Sequence, residues 1–230
     1  MFKHLLVVSL AFIPAFASAG AALTEMETRW LKAAGPVLAY SQHIKLPIDI
    51  IVQPVTRPND VPMAMGFADG RCKLVLSMRG NPDAEKVLDQ VPEADRAVMM
   101  EAMAAHEIGH CWRYVRGAWH ALPAGFVETG EQHIENQDLQ ADLKQMRDNR
   151  REEGFADLVA LAWTKRQHPE HYAKVHAWID GLRKEHAVPG GSHDTRAWVR
   201  LAGDASVFDS AATPFDEAGG AWRQGLLGEH

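Results

Sequence analysis

Two histidines and a glutamate form the stretch of this sequence with the clearest chemistry. His106 and His110 stand four residues apart, and Glu107 directly follows the first histidine. In a helix, side chains spaced by four residues project from one face, one turn apart. Two neutral imidazoles placed in this way can bind one zinc ion, and the glutamate can act as general base on a water molecule that the ion activates. Because the chain has 12 histidines, this pattern needs support from other elements.

A catalytic zinc site usually has three protein ligands and leaves a fourth position for water. Glu153 and Asp157 lie four residues apart in a later segment with helical periodicity, so they would also share one face. In that arrangement Glu153 binds the metal, and Asp157 accepts a hydrogen bond from the second ring nitrogen of a ligand histidine, which fixes its tautomer. Glu128 and Glu131 are rival third ligands, since they stand closer to His110 in the sequence.

The segments that must position these residues are strands early in the chain and helices later. β-Branched residues bounded by prolines predict a strand at 48–55, and an Asp-Gly turn between two short apolar runs predicts a hairpin over 63–78. Apolar residues recur every three or four positions over 93–116 and over 152–167, which predicts two helices that carry the candidate ligands. The Gly- and Ala-rich tail from Gly203 is expected to be irregular or only partly ordered. The predicted fold class is α+β, with a small N-terminal sheet followed by a helical part that carries the zinc motif.

Taken together, the two motifs resemble the gluzincin branch of the zincin metallopeptidases. His106-Glu107-Ile108-Gly109-His110 resembles the shared zinc motif, and Glu153-Gly154-Phe155-Ala156-Asp157 is similar to the Glu-x-x-x-Asp of thermolysin-like peptidases. The resemblance implies a zincin-like fold, with His106, His110 and Glu153 as zinc ligands and Glu107 as catalytic base. It also implies that Asp157 accepts a hydrogen bond from His106, and that a strand above the motif helix pairs with extended substrate. The candidate for that strand is 72–78.

The resemblance covers mainly 93–116 and 150–163, and it departs from the family in one spacing. His110 and Glu153 are 43 positions apart (153 minus 110), whereas about twenty is typical of the best-known gluzincins. The segment between them is therefore expected to loop out.

One further histidine, His193, follows the Gly190-Gly191-Ser192 break and precedes a predicted short helix. Several gluzincins place a His or Tyr from a late segment against the tetrahedral intermediate. By this resemblance, His193 could stabilise the oxyanion of that intermediate. The alternative is a histidine that lies at the surface or caps the helix.

The N-terminus has the features of a secretory signal peptide. Residues 1–19 combine a short basic start, an apolar stretch and small residues in an Ala-x-Ala arrangement at Ala17-Ser18-Ala19. Cleavage before Gly20 would leave one zincin-like domain at 20–230, exported to the periplasm or secreted, with no stable membrane insertion.

Two cysteines, Cys72 and Cys111, are the only ones in the chain. In an oxidising compartment they offer one disulfide bond, which would join a predicted strand to the motif helix. Two buried free thiols are the alternative.

The charge balance narrows the class of partner. A net charge of −6 gives no basic field, which argues against nucleic acid or an anionic membrane surface as a partner. We expect an exported metallopeptidase, an endopeptidase, with Zn²⁺ as cofactor and a peptide or protein as substrate; the sequence assigns no oligomeric state. A zinc-stabilised binding or assembly factor and a zinc hydrolase of non-peptide amides stay open as alternatives. Glu107 favours an enzyme, because metal binding alone does not require a base at that position.

Overall fold

The structure is a computed structural model that describes residues 22–55, 60–127, 136–185, 188–208 and 211–228. Within these ranges the chain forms a mixed α+β fold with seven α-helices and one three-stranded sheet. The predicted signal peptide and the rival ligands Glu128 and Glu131 lie outside the described residues. None of the described helices combines the length and the hydrophobicity that crossing a bilayer requires.

The order of the elements follows the predicted division into early strands and later helices. The helices and strands are α1 (Glu25–Ala33), α2 (Gly35–His43), β1 (Ile48–Val52), β2 (Met63–Ala68), β3 (Arg71–Leu76), α3 (Glu93–Val115), α4 (Gln137–Gln167), α5 (Tyr172–Glu185), α6 (Arg196–Leu201) and α7 (Pro214–Leu226).

The sheet has the strand order β1-β3-β2, in which β3 runs parallel to β1 and antiparallel to β2. The predicted hairpin is confirmed: β2 and β3 are joined at Asp69 and Gly70, which both have positive φ, the conformation that a tight hairpin turn requires. Cys72, Leu74 and Leu76 alternate along β3 and are fully buried, so one face of the sheet forms core. That face packs on α3.

The prediction that 72–78 pairs with extended substrate is wrong in its choice of strand. β3 is the central strand, and neighbouring strands bond to both of its edges. Among the described residues β1 and β2 each pair with β3 alone, so both are edge strands, and β2 is the edge strand that packs on the motif helix α3. The order of strands in a sheet depends on non-local pairing, which hydrophobic patterning does not reveal.

Helices α3 and α4 run antiparallel, and α3 contains the histidine motif as predicted. The helices approach closely at Gly109, where a Cβ atom would lie 3.2 Å from the Cα atom of Ala156. Helix α4 is one continuous element of 31 residues. Its polar first turns are exposed, and its second half, from Asp148 to Thr164, is largely buried.

The prediction of an irregular tail from Gly203 is wrong, because the tail contains helix α7. Thr213 accepts a hydrogen bond from the backbone of Asp216 and so caps this helix, with Pro214 in its first turn. Trp222 of α7 donates a hydrogen bond from Nε1 to the backbone oxygen of Arg151 at 2.8 Å. The small residues of the tail allow close packing of α7 against α4 and α6; they are not a sign of disorder.

A disulfide bond joins Cys72 on β3 to Cys111 on α3, with the two Cα atoms 5.7 Å apart. Both cysteines are fully buried. The bond ties the sheet to the motif helix one residue after His110.

Replacing both Cys72 and Cys111 by Ala should lower the free energy of unfolding. The bond closes a loop of 39 residues, and the chain-entropy model gives a loop of this length about 4 kcal/mol of stabilisation. Urea denaturation of the double variant and of the wild type, each under oxidising and reducing conditions, measures the effect. A double variant within about 1 kcal/mol of the oxidised wild type would contradict this role.

Candidate metal centre

Three side chains from α3 and α4 converge on one point. His106 and His110 project from one face of α3, and their Nε2 atoms lie 3.2 Å apart. Because α4 runs antiparallel to α3, it presents Glu153 to both histidines. One carboxylate oxygen of Glu153 lies 3.4 Å from Nε2 of His106, and the other lies 3.4 Å from Nε2 of His110. The structure therefore brings together the three residues that the sequence predicted as ligands.

These distances match the requirements of a tetrahedral metal ion. Ligand atoms about 2.0–2.1 Å from a tetrahedral ion are separated from one another by about 3.3 Å. The two Nε2 atoms lie 3.2 Å apart, and each lies 3.4 Å from a different oxygen of Glu153; one donor atom from each of the three residues lies within 4.8 Å of the other two. Two imidazoles and one carboxylate are also a donor set that zinc accepts in catalytic sites. These three residues could therefore hold a metal ion.

Asp157, one turn after Glu153 on α4, lies against the back of His106. Its Oδ1 atom is 3.0 Å from Nδ1 of His106. A carboxylate in this position accepts the Nδ1–H proton and leaves the Nε2 lone pair for a metal. The sequence-based prediction for Asp157 thus agrees with its placement.

Two residues that the sequence analysis did not identify hold Asp157 in place. Arg183 of α5 donates from Nε and Nη2 to the two oxygens of Asp157 at 2.8 and 2.7 Å, and its Nη2 lies 3.4 Å from Glu153. The hydroxyl of Thr195, which is fully buried, donates to Asp157 at 2.6 Å. Arg183 stands in a basic last turn of α5 and Thr195 follows a loop, so neither gives a sequence signal that separates it from a surface residue.

The pKa values of His106 and Asp157 follow from their burial and from these contacts. Burial alone would lower the pKa of His106, but hydrogen bonds to Asp157 and Glu153 outweigh it and raise that pKa to about 10. Burial would raise the pKa of Asp157, but the charge of Arg183 and the hydrogen bond with His106 hold it well below its usual range. Without a metal, His106 is therefore an imidazolium at neutral pH. Its protonation contributes stability that is complete below about pH 6.5 and is lost as the pH rises through about 10.

Glu107 neighbours this cluster on α3 and differs from Glu153 in its acidity. Burial raises the pKa of Glu107 above its ordinary value, and the charges of His106 and His110 only partly offset that rise. A backbone hydrogen bond with Met65 of β2 also favours its charged form. Glu107 is thus adjacent both to the histidine pair and to the edge strand β2.

His193 lies at the rim of the cluster. Its Nε2 atom is 3.8 Å from Oε2 of Glu153, and 63% of its side chain is exposed. The donor atoms that lie within 4.8 Å of one another are those of His106, His110 and Glu153, without His193. His193 is therefore placed beside the site and not as a fourth ligand.

The aromatic side chain of Trp119 packs against His110, and no signal in the sequence indicated this contact. The two rings meet edge to face with centroids 5.7 Å apart, and Trp119 contacts Phe67 of β2 in a similar way at 5.1 Å. The loop that carries Trp119 is held by Glu152, which accepts hydrogen bonds from Arg113 at 2.7 and 3.0 Å and from the backbone of His120 at 2.9 Å. Part of the segment between the two motifs is thus anchored next to the cluster, and its remainder includes the first turns of α4.

Comparison of the chain with protein-family models, with curated proteins and with solved structures found no significant match. The chemistry of the site therefore rests on its own residues and distances.

Zinc binding to the metal-free protein at pH 7.5 should release a proton from His106, because the raised pKa keeps this imidazole protonated until a metal displaces the proton. Replacing Asp157 by Asn removes a charge that favours the imidazolium and should reduce the release by up to about one proton per zinc ion. Calorimetric zinc titrations in buffers of different ionisation enthalpy count the protons. Equal release by the two proteins would contradict the assigned role of Asp157.

Proposed function

We propose that this chain is an exported zinc metallopeptidase with a zincin-like fold of the gluzincin type. The observation that carries the proposal is the set of separations of 3.2–3.4 Å among His106, His110 and Glu153. Three protein ligands would leave one position of a tetrahedral ion for water, and the partly buried Glu107 directly follows His106 on α3. A site that only binds zinc for stability normally has four protein ligands and needs no base.

Zinc is the metal that suits this donor set. Two imidazoles favour zinc and other transition metals over Mg²⁺ and Ca²⁺, which prefer oxygen ligands. A zinc ion held by these three side chains would supply a Lewis acid that polarises a substrate carbonyl and lowers the pKa of a water molecule.

In this mechanism Glu107 transfers the protons, and other residues of the chain position the ligand histidine and stabilise the oxyanion. The Glu107 carboxylate accepts the proton of the attacking water and returns it to the nitrogen of the leaving amine. Its raised pKa suits both steps, because a group that must take and return a proton works best with a pKa near the operating pH. Asp157, fixed by Arg183 and Thr195, keeps the Nδ1–H of His106 engaged. His193, at the rim, donates a hydrogen bond to the developing oxyanion.

Peptides or unfolded proteins are the proposed substrates. β2 is an edge strand, and an extended peptide can add to such an edge through backbone hydrogen bonds. Met65 of this strand interacts with Glu107, so a peptide on the edge would lie next to the base. Phe67 and Trp119, both partly exposed, offer apolar surface at the same edge.

Export is supported by two independent features. The first is the signal-peptide pattern of residues 1–19. The second is the disulfide bond between Cys72 and Cys111, since disulfides persist in oxidising compartments.

Replacing Glu107 by Gln should abolish peptide hydrolysis while the protein still binds zinc. Loss of the base removes the proton transfer, and we expect at least about a hundredfold decrease in kcat/KM. Cleavage of casein by purified wild type and variant, with zinc content measured in the same samples, tests this.

Equal cleavage by the two proteins would contradict the role of Glu107. Absence of cleavage by a zinc-loaded wild type would contradict the peptidase proposal and favour a binding or assembly factor. Hydrolysis of small amides without cleavage of peptides would favour a non-peptide amidohydrolase.

Replacing His193 by Ala should lower kcat by about a hundredfold, which is typical for removal of one oxyanion donor. KM, zinc content and the free energy of unfolding should stay close to those of the wild type, because the side chain is 63% exposed. Steady-state kinetics on a fluorogenic peptide measure kcat and KM separately. The matched control is His43→Ala, an exposed histidine on α2, and a kcat that is equal in the two variants would contradict the role of His193.

A further inference from the structure

A second group of potential metal ligands lies at the C-terminal end of α4. His168 follows the last residue of α4, and Glu170 and His171 belong to the short 3₁₀ turn Pro169–His171. One donor atom from each of these three side chains lies within 4.8 Å of the other two. Within the described part of the chain, no other such group exists besides His106, His110 and Glu153.

His168 is oriented by a buried carboxylate. Its Nε2 atom lies 3.1 Å from Oε2 of Glu101 on α3, and the other oxygen of Glu101 accepts a hydrogen bond from Trp163 at 2.8 Å. Glu101 is only 6% exposed, so its position is fixed by packing. A histidine that gives one ring N–H to a fixed carboxylate presents its other nitrogen as a lone-pair donor, which is the usual arrangement of metal-ligating histidines.

His171 lies beside two carboxylates. Its Nε2 atom lies 3.8 Å from Oδ1 of Asp95 on α3, and its Nδ1 atom lies 2.9 Å from Oε1 of Glu170. Asp95 is itself held by Lys174 of α5, whose Nζ is 2.8 and 2.9 Å from its two oxygens. His168 therefore has a hydrogen-bonded carboxylate from α3 on one ring nitrogen, as His106 has Asp157, whereas Asp95 lies beyond hydrogen-bond distance of His171 and adds negative charge beside it.

The charges of this group also suit a divalent cation. Asp95, Glu101 and Glu170 carry three negative charges, and Lys174 contributes one positive charge, so the sum is −2 with neutral histidines. A dication would bring that sum to zero. The imidazole side chains favour Zn²⁺ over Mg²⁺ or Ca²⁺.

We propose that His168, Glu170 and His171 form a second zinc site, in which Glu101 orients His168 and Asp95 adds negative charge beside His171. His168 lies 15 residues beyond Glu153 on α4, which at 1.5 Å per residue places the second site about 22 Å from the first. An ion bound there fastens the connection between α4 and α5 to α3. The existence of this site does not depend on the proposed peptidase activity.

Zinc stoichiometry of the full mature chain tests the proposal. After removal of metal with a chelator, titration with Zn²⁺ alone should load two equivalents on the wild type and one on the double variant His168→Gln/His171→Gln. The variant Glu153→Ala should lose the other equivalent, and the matched control His43→Gln should bind two. A double variant that binds as many equivalents as the wild type would overturn the proposal, whatever the occupancy of the first site.

Two single substitutions distinguish the loss of a zinc site from a general loss of folding. Glu101→Gln keeps an oxygen that accepts a hydrogen bond from Trp163 but removes the carboxylate that orients His168. The affinity for the second zinc equivalent should fall about ten- to a hundredfold. Glu170→Ala removes an exposed ligand and should weaken the same equivalent at least about tenfold. Affinity of the first site should be unchanged in both. Wild-type affinity for both equivalents in the two variants would overturn the proposal.

Discussion

The close contact of α3 with α4 at Gly109 is the constraint on which the candidate site depends. A Cβ atom at this position would lie 3.2 Å from the Cα atom of Ala156 and from the side chain of Val159. Because the helices are antiparallel and this close, Glu153 meets the two histidines on either side of Gly109. On the opposite side of α4, a Cβ atom at Gly154 would come within 2.5 Å of Trp198. The glycines inside the two motifs thus serve packing, and bulkier residues there would move Glu153 away from the ligand positions.

Electrostatics explains how three carboxylates can lie close together at this contact. Glu107, Glu153 and Asp157 carry three negative charges when ionised, and Arg183 supplies one positive charge through its paired contacts with Asp157. The remaining −2 matches a divalent ion. In the absence of the ion, protonation of His106 offsets part of this charge, which is the physical cause of its high pKa.

Features of the sequence with local or periodic origin could be predicted. The spacing of His106 and His110 on a helix, the paired Glu153 and Asp157, and the hairpin at Asp69-Gly70 all depend on residues near one another in the chain. Features that depend on contacts between distant segments of the chain could not be predicted from the sequence. The central position of β3, the packing of α7, and the contacts of Arg183 and Thr195 with Asp157 bring together segments 20 or more residues apart. A surface arginine and a buried one look alike in a single sequence.

Diffraction from crystals of the mature protein at the zinc absorption edge tests the central claim most directly. We expect an anomalous peak about 2.0–2.1 Å from Nε2 of His106, Nε2 of His110 and a carboxylate oxygen of Glu153, with no fourth protein ligand. A zinc-loaded crystal without a peak at this point, or with Glu128 or Glu131 in the place of Glu153, would contradict it.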